Sequence, residues 1–276
     1  MTDSPVSTRP RLIVTADDFG LHTAVNQAVE RGYREGVLRA ASLMVTAPAV
    51  ADAVARARQL PGLAVGLHLV LADGQSALPP SRIPDLVDAR GNFGDNMVRD
   101  GFRFFFLPHV RRQLATEIRA QFEAFAATGL PLDHVNAHKH FHLHPTVLSL
   151  MLSIGRDYGL RAVRWPAEPG SGPWLKPWLA LMRHRLRRAG VRTNDHVFGI
   201  RHTGGMDEQA LLDVVQGLPA GLSELYLHPA IHGELTPAMS DYRHADELAA
   251  LLSPRVRQAV AEHCLLCRGF SDPAAA

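Results

Sequence analysis

Cysteine is scarce in this chain, with two residues in 276, Cys264 and Cys267. A disulfide-stapled scaffold is therefore excluded, and the single CxxC has no second pair to complete a structural zinc site. Both cysteines lie in an apolar stretch near the end and are expected to be buried strand residues without redox chemistry. An excess of one charge is missing as well, since 29 Lys and Arg stand against 27 Asp and Glu. A phosphate-tracking surface needs a dense basic face, so nucleic acid is not an expected partner. No run of about 18 apolar residues is present to span a membrane, and Met1 to Arg11 lacks a signal pattern, which makes the cytoplasm the default location. Repeats and low-complexity tracts are also wanting. With 46% hydrophobic residues, the chain can bury a large core without crosslinks, and its length suits one α/β barrel of roughly 250 residues as well as two smaller domains.

What the chain does have is an alternation of short β-rich runs with longer helical patterns, the mark of parallel βα units. The runs at 12–16, 41–45, 63–69, 134–137, 162–165, 196–200, 225–227 and 264–267 are strand candidates, and eight fit a closed or nearly closed barrel. Helical spacing covers 24–33, 50–60, 110–127, 146–158, 208–218 and 245–261. The connections 70–109 and 167–193 are too long for ordinary βα loops and are expected to form lids over the C-terminal face or, alternatively, oligomer contacts. The fold expected is thus an α/β class (β/α) barrel, TIM-barrel-like and distorted or incompletely closed. It forms one domain over 11–270 between a flexible N-terminus (1–10) and a flexible C-terminus (271–276).

Candidate chemistry collects at the strand ends. The first strand stops at Asp17-Asp18-Phe19-Gly20. Like charges this close call for a cation, and a metal held by one carboxylate leaves the other free as a base; a pair of helix N-caps is the plainer alternative. The third strand carries His68 near its end. The fourth runs into His134, His138, His140, His142 and His144, five histidines in eleven residues, before Pro145, which suits the first turn of a helix. Asp18, His68 and His138, each at the end of a different parallel strand, can converge on one point. Two imidazoles and a carboxylate with open positions suit a catalytic divalent metal such as zinc. His140, His142 and His144 are equally compatible with a surface run.

Thr15-Ala16-Asp17-Asp18-Phe19-Gly20, Gly66-Leu67-His68 and His134-Val135-Asn136-Ala137-His138-Lys139-His140 resemble the motifs of the YdjC-like carbohydrate deacetylases. The wording at Ser42 to Val45, Leu132 to His140 and Tyr242-Arg243-His244 is similar to the hopanoid biosynthesis-associated branch of that family. The resemblance covers roughly Arg11 to Phe270. It implies a barrel-like metal-dependent hydrolase removing acetyl from N-acetylated amino sugars. The implied ligands are Asp18, His68 and His138, holding one divalent ion, with zinc the first choice and Mg, Mn, Co or Ni as alternatives. Asp17 is implied as the base. His228, in Leu225-Tyr226-Leu227-His228-Pro229, is chosen as the acid, and Arg164, in Arg164-Trp165-Pro166, looks similar to an arginine that orients the base in more distant polysaccharide deacetylases. Arg164 pairing with a surface carboxylate and His228 capping a strand are the plainer readings. His22 stands where many relatives have Ser, so a helix cap worth about 1 kcal/mol is expected to be lost.

The branch resemblance implies an N-acetylglucosaminyl bacteriohopanetetrol lipid as substrate. Phe102, Phe104, Phe105 and Phe106 put four of the eleven Phe into one lid-like segment, and Trp174 to Arg188 joins apolar bulk to positive charge as an interfacial helix does. Core packing or a dimer contact would explain either stretch equally. Substrate-binding candidates are His140, His142, Trp165, Phe104, Phe105 and Tyr242. Peripheral contact with the inner membrane and a homodimer stay open. Two competing functions are deacetylation of soluble N-acetylglucosamine oligosaccharides of the chitobiose type and a non-catalytic sugar- or metal-binding module.

Overall fold

The computed structural model describes residues 9–170, 172–233 and 235–275. In chain order the elements are β1 (Arg11–Phe19), α1 (Thr23–Glu35), β2 (Ala40–Leu43), α2 (Val50–Arg58), β3 (Ala64–Leu69), α3 (Met97–Phe106), α4 (Pro108–Ala127), β4 (Val135–Ala137), α5 (Pro145–Gly155), α6 (Lys176–Arg188), β5 (His196–Phe198), α7 (Glu208–Gln216), β6 (Leu222–Leu227), α8 (His244–Leu252), α9 (Pro254–His263) and β7 (Leu265–Leu266). The strands form one parallel sheet in the order β4-β3-β2-β1-β6-β5, with β7 beside the start of β1. Leu12, Val14, Phe19, Leu43, Leu67 and Leu69 are fully buried between sheet and helices. Each such side chain contributes about 1.5–3 kcal/mol. Helices on the outside of a curled parallel sheet make a distorted α/β barrel.

One of the eight expected strands, 162–165, is not a ladder strand. Only single parallel bridges tie it in, Val135 to Val163 and Ala162 to Arg192. Pro166 has no N–H to feed a ladder, and a side chain substitutes for the missing neighbour: Trp165 N–H donates to Asn194 Oδ1 (2.7 Å) and Asn194 Nδ2 donates to Trp165 O (2.8 Å). Arg164 N–H bonds Val135 O (3.2 Å) and Val197 N–H bonds Ala167 O (3.1 Å), so this irregular stretch still spans the wall between β4 and β5.

Other expectations also need correction. The helix expected over 245–261 is two, α8 and α9, because Pro254 disfavours helical geometry at Ser253; the Ser253 hydroxyl then caps α9 by accepting from Arg255 N–H (3.1 Å). The long connections carry helices, α3 in the first and, where helix-like character was expected, α6 in the second. The cap expected to be lost at His22 is present, its Nδ1 accepting from Ala24 N–H at 3.0 Å. At the termini, residues 1–8 lie outside the described residues, but Pro10 O accepts from Leu265 N–H (2.8 Å). The tail after Phe270 is tied down: Ser271 donates to Asp133 from both its N–H (2.8 Å) and its hydroxyl (2.5 Å), and Ala275 is buried. Cys264 and Cys267 are buried and unpaired, flanking β7, and burial pushes both thiols up to about 11.

Candidate metal and catalytic centre

Successive side chains of a strand face opposite ways, yet Asp17 and Asp18 reach the same site. The β1–β2 register shifts between Ala16 and Phe19, and Asp18 adopts φ 60°. This bulge turns the second carboxylate to the side of the first. Gly20 makes the exit, at φ 96°, where a Cβ would lie 3.1 Å from Met44 O. Asp18, Asp73, Lys139 and His140 are the non-glycine residues at positive φ among those described. Asp18 belongs to the ligand cluster and the other three line the cleft above it, so the backbone strain gathers at one place.

Asp18 Oδ1 stands 3.2 Å from His68 Nε2 and 3.1 Å from His138 Nδ1, and the two ring nitrogens are 3.3 Å apart. A tetrahedral ion with bonds of about 2.0–2.1 Å sets its ligand atoms about 3.3 Å from one another. Two further features fit a cation. Asp18 Oδ2 is buried without a hydrogen-bond partner, and His68 Nδ1 lies 2.7 Å from Asn136 Oδ1. An amide oxygen only accepts, so Nδ1 carries the proton and Nε2 keeps its lone pair for the site. Burial opposes charge on His68, but Asp17 and Asp18 outweigh it and raise its pKa.

Asp17 belongs to a second, adjoining network. Arg164, fully buried, donates Nη1 to Asp17 Oδ2 (2.5 Å) and Nη2 to Oδ1 (2.9 Å), and grips Glu224 with Nε (3.0 Å) and Nη2 (2.9 Å). Its guanidinium lies 4.5 Å over the Tyr226 ring. Burial works to raise the Asp17 pKa, but Arg164 holds it well below the usual carboxylate range. His228, at the end of β6, places Nε2 4.0 Å from Asp18 Oδ2. Burial lowers its pKa, which makes the protonated ring a readier donor. Glu247 holds this residue from behind, accepting His228 N–H (2.5 Å) and Met206 N–H (3.1 Å).

A cleft of about 210 Å³ opens over these groups, lined in part by Asp17, His68, His138, His140, Tyr226, His228 and Tyr242. Of the substrate-binding candidates, His140 and Tyr242 are in this lining, His140 Nε2 being hydrogen-bonded to Tyr226 OH (3.0 Å). His142 is not. It is buried and donates Nε2–H to Arg164 O (3.0 Å), with burial taking its pKa down to about 3. Trp165 is turned away, its indole donating to Leu179 O (3.0 Å) and lying under Arg183. Phe104 is a core residue packed on Phe141, whereas Phe105 is on the outer surface beside His144. The sequence pattern assigns no role to Asn136, Glu224 or Glu247. Asn136 lies between apolar residues in β4 and Glu224 follows Ser223 in β6, patterns that single out no partner, and Glu247 looks like an ordinary first-turn helix acid.

Known proteins share this arrangement of the chain. A carbohydrate deacetylase from Brevibacillus brevis is 29% identical over 266 residues, covering 95% of this chain and 99% of the relative. A chitooligosaccharide deacetylase from Yersinia pestis is 28% identical over 272 residues, 95% of this chain and 98% of its own. A crystal structure from Enterococcus faecalis V583, of a protein provisionally assigned to cellobiose-phosphate cleavage, superposes with a TM-score of 0.76 at 26% identity and covers 94% of this chain and 97% of its own. Residues 11–262 match the model of the YdjC-like protein family, and the chain belongs to that family.

Proposed function

We propose that this chain is a metal-dependent N-deacetylase of amino sugars, and that its substrate is an N-acetylglucosaminyl hopanoid lipid of the bacteriohopanetetrol type. The observation that carries the chemistry is the Asp18–His68–His138 cluster beside an Arg164-held Asp17, with His228 on the cleft wall. Asp18, His68 and His138 would hold a divalent ion, zinc in our reading, which would lower the pKa of water and polarise the acetamide carbonyl. Asp17 takes the proton of the attacking water. His228 protonates the departing amine, without which an amide nitrogen is a poor leaving group. Acetate and a free amino sugar are the products.

Two features support the lipid. The hopanoid-branch resemblance of Ser42 to Val45, Leu132 to His140 and Tyr242 to His244 is one. The other is an apolar rim: Val98, Phe102, Phe105 and Phe106 lie on one face of α3, with Phe102 63% and Phe106 64% exposed, and Trp174, 80% exposed, precedes α6. Both helices adjoin the segment that carries His138. Phe105 packs against His144, and Trp178 of α6 donates its indole N–H to Leu143 O (3.0 Å). α6 also carries Lys176, Arg187 and Arg188, as a helix against an anionic bilayer does, which favours peripheral membrane contact. No helix among the described residues is long and apolar enough to cross a membrane.

A soluble chitooligosaccharide is the second reading, favoured by the activity named for the Yersinia relative. Mass spectrometry of the N-acetylglucosaminyl lipid and of chitobiose, each incubated with enzyme with and without chelator, tests both. Chelator-sensitive loss of one acetyl from the lipid in preference to chitobiose is the expected result. The reverse preference establishes the soluble sugar, and no acetate from either substrate by metal-loaded protein overturns the deacetylase reading.

A further inference from the structure

Beneath the ligands, a line of buried polar side chains runs down the barrel interior to the opposite end. Asn136 Nδ2 lies 3.1 Å from Asp17 Oδ1 and 2.9 Å from Ser42 Oγ, Ser42 Oγ lies 3.0 Å from His134 Nε2, and His134 Nδ1 lies 2.9 Å from Asp133 Oδ2. Ser42, His134 and Asn136 are fully buried and Asp133 nearly so. Asp133 is held in turn by Phe270 N–H (3.0 Å) and by the N–H and hydroxyl of Ser271.

Donors and acceptors in this line match in one direction. An ionised carboxylate only accepts, and Asp133 is kept ionised down to about 2, because the hydrogen bonds from His134 and Ser271 outweigh its burial. His134 therefore carries its proton on Nδ1, and its Nε2 accepts from the Ser42 hydroxyl. The Ser42 oxygen then accepts from Asn136 Nδ2, which turns the amide oxygen toward His68 and fixes the His68 proton on Nδ1. The second Asn136 amide hydrogen goes to Asp17. Reversing the line would set the Asn136 amide oxygen against Asp17 Oδ1 and put the His68 proton on Nε2, the atom that faces Asp18 and His138, so Asp17 and Asp133 hold the line in the same direction from its two ends. Space for the His134 ring exists because residue 66 is glycine: a Cβ there would lie 2.5 Å from His134 Nε2.

We propose that Asp133, Ser42 and His134 are positioning residues, and that a carboxylate anchored by the C-terminal tail sets the tautomer of the metal ligand His68 and the seat of the base Asp17 at the other end of the barrel. This rests on the reading of Asp18, His68 and His138 as ligands. The tautomers are testable without metal, by long-range proton–nitrogen-15 correlation spectra of the histidines in the intact metal-free protein. At a pH high enough to keep the His68 ring neutral, wild type should show His68 and His134 protonated on Nδ1. Asp133→Asn, whose amide can donate as well as accept, should mix the His68 tautomers and weaken Zn2+ or Co2+ binding by calorimetry on the order of 10–100-fold. Ser42→Ala is a smaller change should Asp133→Asn fail to fold, and it should do the same, with Ser42→Thr restoring binding. Unchanged His68 tautomer and unchanged metal affinity in Ser42→Ala would overturn the relay while leaving the ligand reading intact. A wild-type protein that binds neither ion would overturn the ligand reading instead, and with it the proposal.

Discussion

In the proposed role of Asp17 as base, structural and catalytic demands fall on the same two oxygens. A carboxylate offers about four lone-pair sites. Arg164 Nη2 and Asn136 Nδ2 occupy Oδ1, and Arg164 Nη1 takes one site on Oδ2, which leaves a site on Oδ2 open to accept a proton. Asp17→Asn removes that acceptor while Asp18, His68 and His138 stay in place. Turnover should fall by about 10²–10⁴-fold, with metal affinity by calorimetry within a few-fold of wild type; retained turnover would take the base role from Asp17. His142 makes a separate demand. Its folded-state pKa, about 3, is below its unfolded value, so the stabilisation is complete above about 6.5 and is lost as pH falls from there toward 3. Between pH 7 and pH 4, urea unfolding should show a loss on the order of a few kcal/mol from this residue. His142→Gln keeps an N–H for Arg164 O but does not titrate, so its loss over that interval should be smaller.

At the level of elements, α3 divides its two faces between different tasks. Gly101 and Phe104 face the core, while Val98, Phe102 and Phe106 face solvent. Phe102→Ser with Phe106→Ser should leave thermal stability within about 1 kcal/mol, since surface changes rarely cost more, yet reduce turnover of the lipid several-fold more than turnover of chitobiose. Equal losses on both substrates would remove α3 from lipid docking. At the α8–α9 junction the Ser253 hydroxyl caps α9 and also donates to Glu208 Oε1 (2.5 Å); Ser253→Ala should cost about 1 kcal/mol in chemical unfolding. These elements also mark how far the sequence could be read. β1, β2 and β3 announce themselves as largely apolar runs, because parallel strands are buried on both faces. The run at 162–165 reads the same way but is no ladder strand, since a side chain of Asn194 completes its hydrogen bonding and no local pattern encodes that. The break before Pro254 was written in the residues and was overridden by the helical period on either side. Asp17, Asp18, His68 and His138 stood out because charged and metal-binding groups at apolar strand ends are rare. Their supports, Asn136, Ser42 and Glu224, are set by contacts across the barrel that spacing along the chain does not reveal.

At the scale of the whole molecule, the ligand cluster ties together strands that are distant in sequence. Asp18 is on β1, His68 on β3 and His138 just beyond β4, so an ion bound by the proposed ligands would crosslink one half of the curled sheet at its C-terminal edge. Nothing in the unfolded chain holds these three groups together, so metal binding adds to folding free energy by mass action, about 2.7 kcal/mol at a free concentration 100 times the dissociation constant. For domains of 150–250 residues each kcal/mol moves the melting temperature by about 2–4 °C. Saturating zinc should therefore raise Tm by about 5–10 °C over protein in chelator, with the midpoint climbing as zinc is increased. His138→Ala, which deletes one ligand and leaves Asn136 to hold His68 and Asp17, should fold but lose most of that rise. A rise of equal size in His138→Ala would place the stabilising ion somewhere else on the molecule, and the absence of any rise in wild type would count against a metal held by this site.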